Sequence, residues 1–137
     1  AAPAAPAAPA APALYQRACQ SCHGPKGKGQ PGLYPPLASS DWVNAPSPAR
    51  LIRLTLHGVS GPIAINGKPF PTATPFMPGH AATLNDNEIA TLLTWLRRSM
   101  GNNAPAVTPE QITPVRTAEA QRTALWTTAE LLKIPAQ

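Results

Sequence analysis

The 137 residues leave room for one domain and little more. Aromatics make up 5% and charged residues 12%, against 19 prolines, so few large side chains are available to fill a core. The formal charge is +5, but the basic residues are scattered with few aromatics among them, which argues against a nucleic-acid partner; no apolar run reaches the length of a transmembrane segment.

Residues 1–13 read AAPAAPAAPAAPA. Proline at every third position blocks a regular helix and favours extended chain, so this stretch is expected to be a semi-rigid spacer. The plainer alternative is a tail without a role. A spacer implies a neighbour upstream, either a second domain or an anchor. No basic-then-apolar leader opens the sequence, so an exported protein would be met here in mature or partial form.

Leu14, Ala18 and Cys22 share one stripe and predict a first helix over 14–23, ended by Gly24-Pro25. Residues 24–46 read as loop. Ser47 as N-cap and Pro48 at the first helical position open a second helix, which runs through Leu51, Ile52, Leu54 and Leu56 to His57 and stops at Gly58. Residues 58–82 read as loop, with a turn at Asn66-Gly67 and prolines at Pro69, Pro71, Pro75 and Pro78. The third helix has the clearest signals. Asn85 and Glu88 form a capping-box pattern, Asp86 suits the first turn, and Ile89, Leu92, Leu93, Leu96 and Met100 form an apolar stripe. Arg97 and Arg98 fall in its last turn, and Gly101 follows. Residues 102–116, with Pro105, Pro109 and Pro114, read as linker. A weaker apolar pattern (Ala120, Leu125, Leu131, Leu132) predicts a fourth helix over 117–133. No strand is predicted. Helices between long Gly/Pro loops, with too little apolar bulk for a core, imply an all-α fold wrapped around a cofactor.

The chemistry centres on Cys19-Gln20-Ser21-Cys22-His23. Two thiols at this spacing can add across the two vinyl groups of one haem, and the adjacent histidine then reaches the iron. Three rival readings fit less well. A thioredoxin-like pair expects a βαβ context, which is missing. A zinc site needs more ligands; His57 and His80 could serve, but Cys22 and His23 are immediate neighbours. A lone i, i+3 disulfide would stabilise little. An electron-transfer haem needs a sixth ligand, and Met77, Met100, His57 and His80 are the candidates. Met100 continues a helical stripe, so core packing is its default. Met77 lies in the proline-stiffened loop Pro75-Phe76-Met77-Pro78-Gly79 and is favoured, since a thioether raises the haem potential.

Residues 14–101 resemble a class I cytochrome c domain. The resemblance rests on Cys19-x-x-Cys22-His23-Gly24 after Leu14-Tyr15, then Tyr34-Pro35-Pro36-Leu37-Ala38, Asp41-Trp42, His57-Gly58, Gly61-Pro62-Ile63, Asn66-Gly67-Lys68, Met77-Pro78, Leu84-x-Asp86-x-Glu88-Ile89 and Ser99-Met100-Gly101-Asn102. It implies crossing N- and C-terminal helices, three to four helices in all, around one covalent haem c with an exposed edge. His23 would be the proximal ligand and Met77 the distal one. The Pro35 carbonyl would accept the histidine ring N–H and so fix its tautomer. Trp42 would touch a propionate or the haem edge, or else fill the crevice wall. Tyr15 and Trp95 would pack at the helix crossing. The pattern departs from the family at Ala11-Pro12, where a glycine is usual, which delays the expected helix start, and at Thr72-Ala73-Thr74-Pro75.

The division implied is a linker over 1–13, a cytochrome domain over 14–103 and a C-terminal extension over 104–137. The run from Tyr34 to Asn102, with Val107-Thr108-Pro109-Glu110, resembles first the cytochrome domains tethered to copper nitrite reductases and next those of quinoprotein or membrane dehydrogenases. That likeness implies a periplasmic electron relay without catalytic residues, passing electrons between an upstream redox enzyme and another carrier or oxidase. The alternative is a haem enzyme or gas sensor whose methionine leaves the iron. Residues 14–100 hold eight Lys/Arg against three acids, while 101–137 hold three of each. The basic excess is either a solvated surface or a face for an acidic redox partner.

Overall fold

A computed structural model describes residues 10–71 and 76–137. The spacer reading therefore lies outside the described residues for 1–9, as does the departure at Thr72–Pro75. Residues 10–13, expected in the spacer, instead open the first helix, α1 (Ala10–Ala18). Pro12 is only the third residue of that helix, where a backbone N–H has no intrahelical acceptor, so its ring costs no hydrogen bond. Ala11, Leu14, Tyr15 and Cys19 are buried along one face, at the 3.6-residue period. The helix thus starts early, and Ala11 takes the small-residue position. The chain turns at Cys19 and continues as α2 (Gln20–His23), which Gly24 ends at φ +83°.

Seven helices and five short strands are present among the described residues. The short helix α3 (Asp41–Asn44) is capped by the Ser40 hydroxyl, which accepts from the Trp42 N–H. In α4 (Ala49–His57), Leu51, Ile52, Leu54 and Leu56 are buried. Ser47 Oγ accepts from the Ala49 N–H at 3.2 Å, so the expected cap acts with the helix starting one residue later than the reading placed it. The major helix α5 (Asp86–Leu96) has the expected capping box: Asn85 Oδ1 accepts from Glu88 N–H at 2.8 Å, and Glu88 Oε1 from Asn85 N–H at 2.9 Å. It packs across α1, with the Tyr15 and Trp95 rings 5.3 Å apart and tilted by 51°. Ile89, Leu92 and Leu93 are fully buried on it, each stabilising by about 2 kcal/mol relative to exposure.

The all-α expectation needs correction, because strands fill part of the region read as loop. β1 (Val59–Ser60) pairs antiparallel with β4 (Phe76–Met77) and parallel with β5 (Trp126–Thr127). β2 (Ile63–Ile65) and β3 (Lys68–Phe70) form a hairpin. Its turn residues Asn66 and Gly67 both have positive φ, 53° and 80°, as a two-residue turn that follows the strand twist requires. Asn66 and Asp41 exchange two bonds of 2.9 Å, and Trp42 Nε1 donates to the Ala64 carbonyl, so the hairpin is pinned to α3. These strands are too short to show alternation in sequence.

The C-terminal third also differs from expectation. Residues 102–116 are not a bare linker: α6 (Pro109–Ala118) occupies most of its second half, with Pro109 at its first position and Pro114 inside it. Thr108 N–H donates to Gln111 Oε1 at 2.9 Å. The expected helix over 117–133 is only α7 (Thr128–Leu132), capped by Thr127 with Glu130. Ile112 and Leu131 are fully buried in the same core as α4 and α5. Arg97 is likewise misplaced by the sequence reading. It is 0% exposed and donates to the carbonyls of Pro105, Val43, Ala45 and Pro46, tying four loop carbonyls to the end of α5.

Candidate haem-binding site

A cavity of ≈ 840 Å³ of empty space, counting its open mouth, lies between the Cys19–His23 segment and β4. Apart from His23, Ser40 and Thr128, its lining is aliphatic, aromatic, proline, glycine or sulfur. α2 brings Cys22 and His23 to one part of the wall. α3 contributes Trp42 and Val43, α4 contributes Leu51 and Leu54, and β4 contributes Met77. Cys19 is not among the lining residues; it is buried at the α1–α2 turn. Leu33 and Phe76 also line the cavity and are the more exposed of its apolar residues, Phe76 at 55%.

His23 is buried, and its Nδ1 lies 2.8 Å from the Pro35 carbonyl oxygen. A carbonyl only accepts, so Nδ1 carries the proton and Nε2 keeps a lone pair. Burial lowers the His23 pKa, and the Pro35 bond only partly opposes it, so the ring is neutral at pH 7. Gly29 makes this geometry possible. At φ +67° it sits so close to the Tyr34–Pro35 backbone that a Cβ there would fall 2.3 Å from the Tyr34 oxygen and 2.7 Å from the Pro35 oxygen. The Gly29 N–H also donates to the His23 carbonyl at 2.8 Å.

Both thiols are free. Burial first, and then the neighbouring Cys22, pushes Cys19 up to about 11, so it is a thiol at neutral pH. Among the described residues no three His, Cys, Asp or Glu side chains gather as a metal-holding group. Of the four candidate distal ligands only Met77 lines the cavity, among the described residues. Met100 packs instead against Gly27, where a Cβ would meet its sulfur at 2.3 Å. His57 ends α4 and His80 follows the β4 segment, both away from the lining.

Sequence reasoning missed Thr128, Ser40 and Asn102. Thr128 reaches the cavity from the C-terminal extension, and its hydroxyl donates to the Ser60 carbonyl at 3.4 Å. The weak apolar pattern over 117–133 pointed to order there, and the Thr127-x-x-Glu130 spacing is a further signal that could have located α7. Asn102 is buried and donates to the carbonyls of Leu37 and Leu96, while its Oδ1 accepts from Asn44 and from the Ser40 N–H. It ties the Leu37 and Ser40 parts of the wall to the end of α5; the resemblance quoted Asn102 in its closing motif but gave it no role.

A large apolar cavity, a neutral imidazole with one nitrogen left free and two unpaired thiols one helical turn apart fit a haem attached through thioethers. This combination defines a haem-carrying electron-transfer domain. The cytochrome c family model matches residues 8–100, and the chain belongs to that family. It carries haem c, and Cys19 and Cys22 fit the family's attachment motif. Its function is electron transfer.

Three similar proteins are dehydrogenase subunits. The cytochrome c subunit of the quinone alcohol dehydrogenase of Gluconacetobacter polyoxogenes is 34% identical over 103 residues, 74% of this chain and 21% of that protein. The corresponding subunit of Gluconobacter oxydans is 33% identical over 108 residues, 78% of this chain and 22% of that protein. The gluconate 2-dehydrogenase cytochrome c subunit of Pantoea cypripedii is 32% identical over 108 residues, 77% of this chain and 24% of that protein. The chain therefore spans only about a fifth to a quarter of the length of these relatives.

Proposed function

We propose that this domain relays single electrons from a dehydrogenase of the quinoprotein kind to a further carrier or oxidase, with His23 and Met77 as the residues that would hold the iron of its haem. The observation that carries the ligand assignment is that His23 and Met77 line one apolar cavity while Met100, His57 and His80 do not. When bound, haem c supplies a one-electron couple whose potential rises with a thioether ligand and an apolar surround.

The protein's own residues orient and insulate that couple. The Pro35 carbonyl holds the His23 proton on Nδ1 and fixes the ring plane. The lining excludes water and disfavours the more highly charged oxidised state. Trp42 gives its indole N–H to Ala64, which supports the wall role over a propionate contact. Leu33 and Phe76 offer an apolar rim for a docked partner.

The relatives favour a dehydrogenase as donor over a copper nitrite reductase. The reading includes a periplasmic location on or tethered to that enzyme, as befits bacterial relatives; no helix among the described residues is long and apolar enough to cross a membrane. The test has two arms. Met77→Ala should abolish the charge-transfer absorption of a methionine-ligated ferric haem and lower the midpoint potential; an unchanged spectrum would sink the ligand assignment. A purified quinoprotein alcohol dehydrogenase, given its alcohol, should reduce the wild-type domain in stopped flow. No reduction would sink the donor assignment.

A further inference from the structure

The family match ends at residue 100, yet the chain beyond it is built into the methionine side of the site. It grips the Met77 segment in two places. On the C-terminal side, Arg116 of α6 donates through Nε to Asp86 Oδ1 at 2.6 Å, through Nη1 to the Ala81 carbonyl at 2.8 Å and through Nη2 to the Leu84 carbonyl at 2.7 Å. Thr113 adds a 2.6 Å bond to the other oxygen of Asp86. The stretch that follows Met77 is thereby fixed to α6.

The second grip runs through β1. Val59 lies in register between Met77 on one side and Trp126 on the other. The Trp126 N–H donates to the Gly58 carbonyl at 3.1 Å. Gly58, at φ +81°, is where the Met77 segment and the extension both press on the chain entering β1: a Cβ there would lie 2.3 Å from the Met77 oxygen and 2.4 Å from Leu125 Cδ2. Arg122 covers the outer face of this contact, its guanidinium 3.7 Å from the Trp126 ring centroid, and it also bonds the Leu125 carbonyl and Glu130. β4 itself is two residues long, so its own ladder cannot hold Met77 firmly.

We infer that the C-terminal extension is a clamp on the distal ligand, with Arg116 and Trp126 as positioning residues that keep Met77 from leaving the haem. The inference rests on Met77 being that ligand. The clamp works by population. An outside ligand binds in proportion to the fraction of molecules in which Met77 has swung away, and both grips must yield for β4 and the 78–85 stretch to move.

The test uses the full-length holoprotein and carbon monoxide as the probe. Arg116→Gln and Trp126→Ala should each weaken the methionine charge-transfer band of the ferric form. Each should also raise the apparent affinity of the ferrous form for carbon monoxide about tenfold, the factor that corresponds to about 1.4 kcal/mol of lost anchoring. Arg122→Gln tests the same grip if Trp126→Ala does not fold. Leu14→Ala, which weakens the distant α1–α5 crossing, should lower stability and leave carbon monoxide affinity unchanged. If the clamp variants lose stability but bind carbon monoxide no better than Leu14→Ala does, the extension is packing and not a clamp. A Met77→Ala protein that kept the band would instead remove the ligand assignment, and the clamp with it.

Discussion

At the scale of single residues, the proximal half of the site depends on one close approach. Gly29 leaves no room for a Cβ beside the Tyr34–Pro35 backbone, and its φ of +67° is strained for any other residue. Gly29→Ala should cost about 2 kcal/mol or more, measured by denaturant unfolding, because the obstacle is backbone that cannot swing aside. It should also displace the Pro35 carbonyl from His23 Nδ1, which the imidazole N–H resonance would register. Arg97 makes a second residue-scale case. Arg97→Met removes the Arg97 donors from the buried Val43 carbonyl and the half-buried Ala45 and Pro105 carbonyls, and should cost about 3 kcal/mol by the same measurement. The motif Cys19–His23 and the candidate Met77 were legible in sequence because their chemistry is local. The close approach at Gly29 and the buried bonds of Arg97 and Asn102 were not, since each acts on backbone atoms brought near only by folding.

At the scale of elements, what could be read depended on whether a signal lay within one turn of chain. The Asn85–Glu88 capping box and the Gly58 stop are such signals, and both mark real helix ends. The start of α1 was read too late because Pro12 was taken as a breaker, although a first-turn proline is tolerated. α6 was missed for the opposite reason: Pro109 is a good first residue, but Pro114 four to five residues on disguised the helix. The strands are two or three residues long and exist only through partners far away in sequence. The α5–α6 junction carries an acid-side prediction. Burial alone would raise the Asp86 pKa, but the bonds from Thr113 and Arg116 and the Arg116 charge outweigh it and hold it below the ordinary value. A depressed folded-state pKa contributes stability that is present above about 3.9, the unfolded value, and is lost as pH falls through the folded one. Wild-type stability should therefore drop more steeply below about pH 4 than that of Asp86→Asn, as thermal melts across that range would show.

At the scale of the whole molecule, the small share of aromatics and the large cavity belong together. The core is continuous around α1, α4, α5, α6 and α7, but it borders an apolar cavity, open on one side, that side chains do not fill. Haem therefore contributes to the stability of the fold as well as to its function. Protein made without haem attachment, as Cys19→Ser with Cys22→Ser, should melt at least about 10 °C below the holoprotein in calorimetry. The two halves of the site also differ in how far apart their parts lie along the chain. His23 meets Pro35 across 12 residues, whereas Thr128 meets Ser60 across 68. Short loops close sooner and at less entropic cost than long ones. The thiols and the proximal histidine are thus presented on a half-open cradle early in folding, while the cofactor can still enter from the side. The parallel pairing of β5 with β1 joins segments far apart in sequence, and on the same entropic ground it is expected to close the cradle later than the proximal side forms.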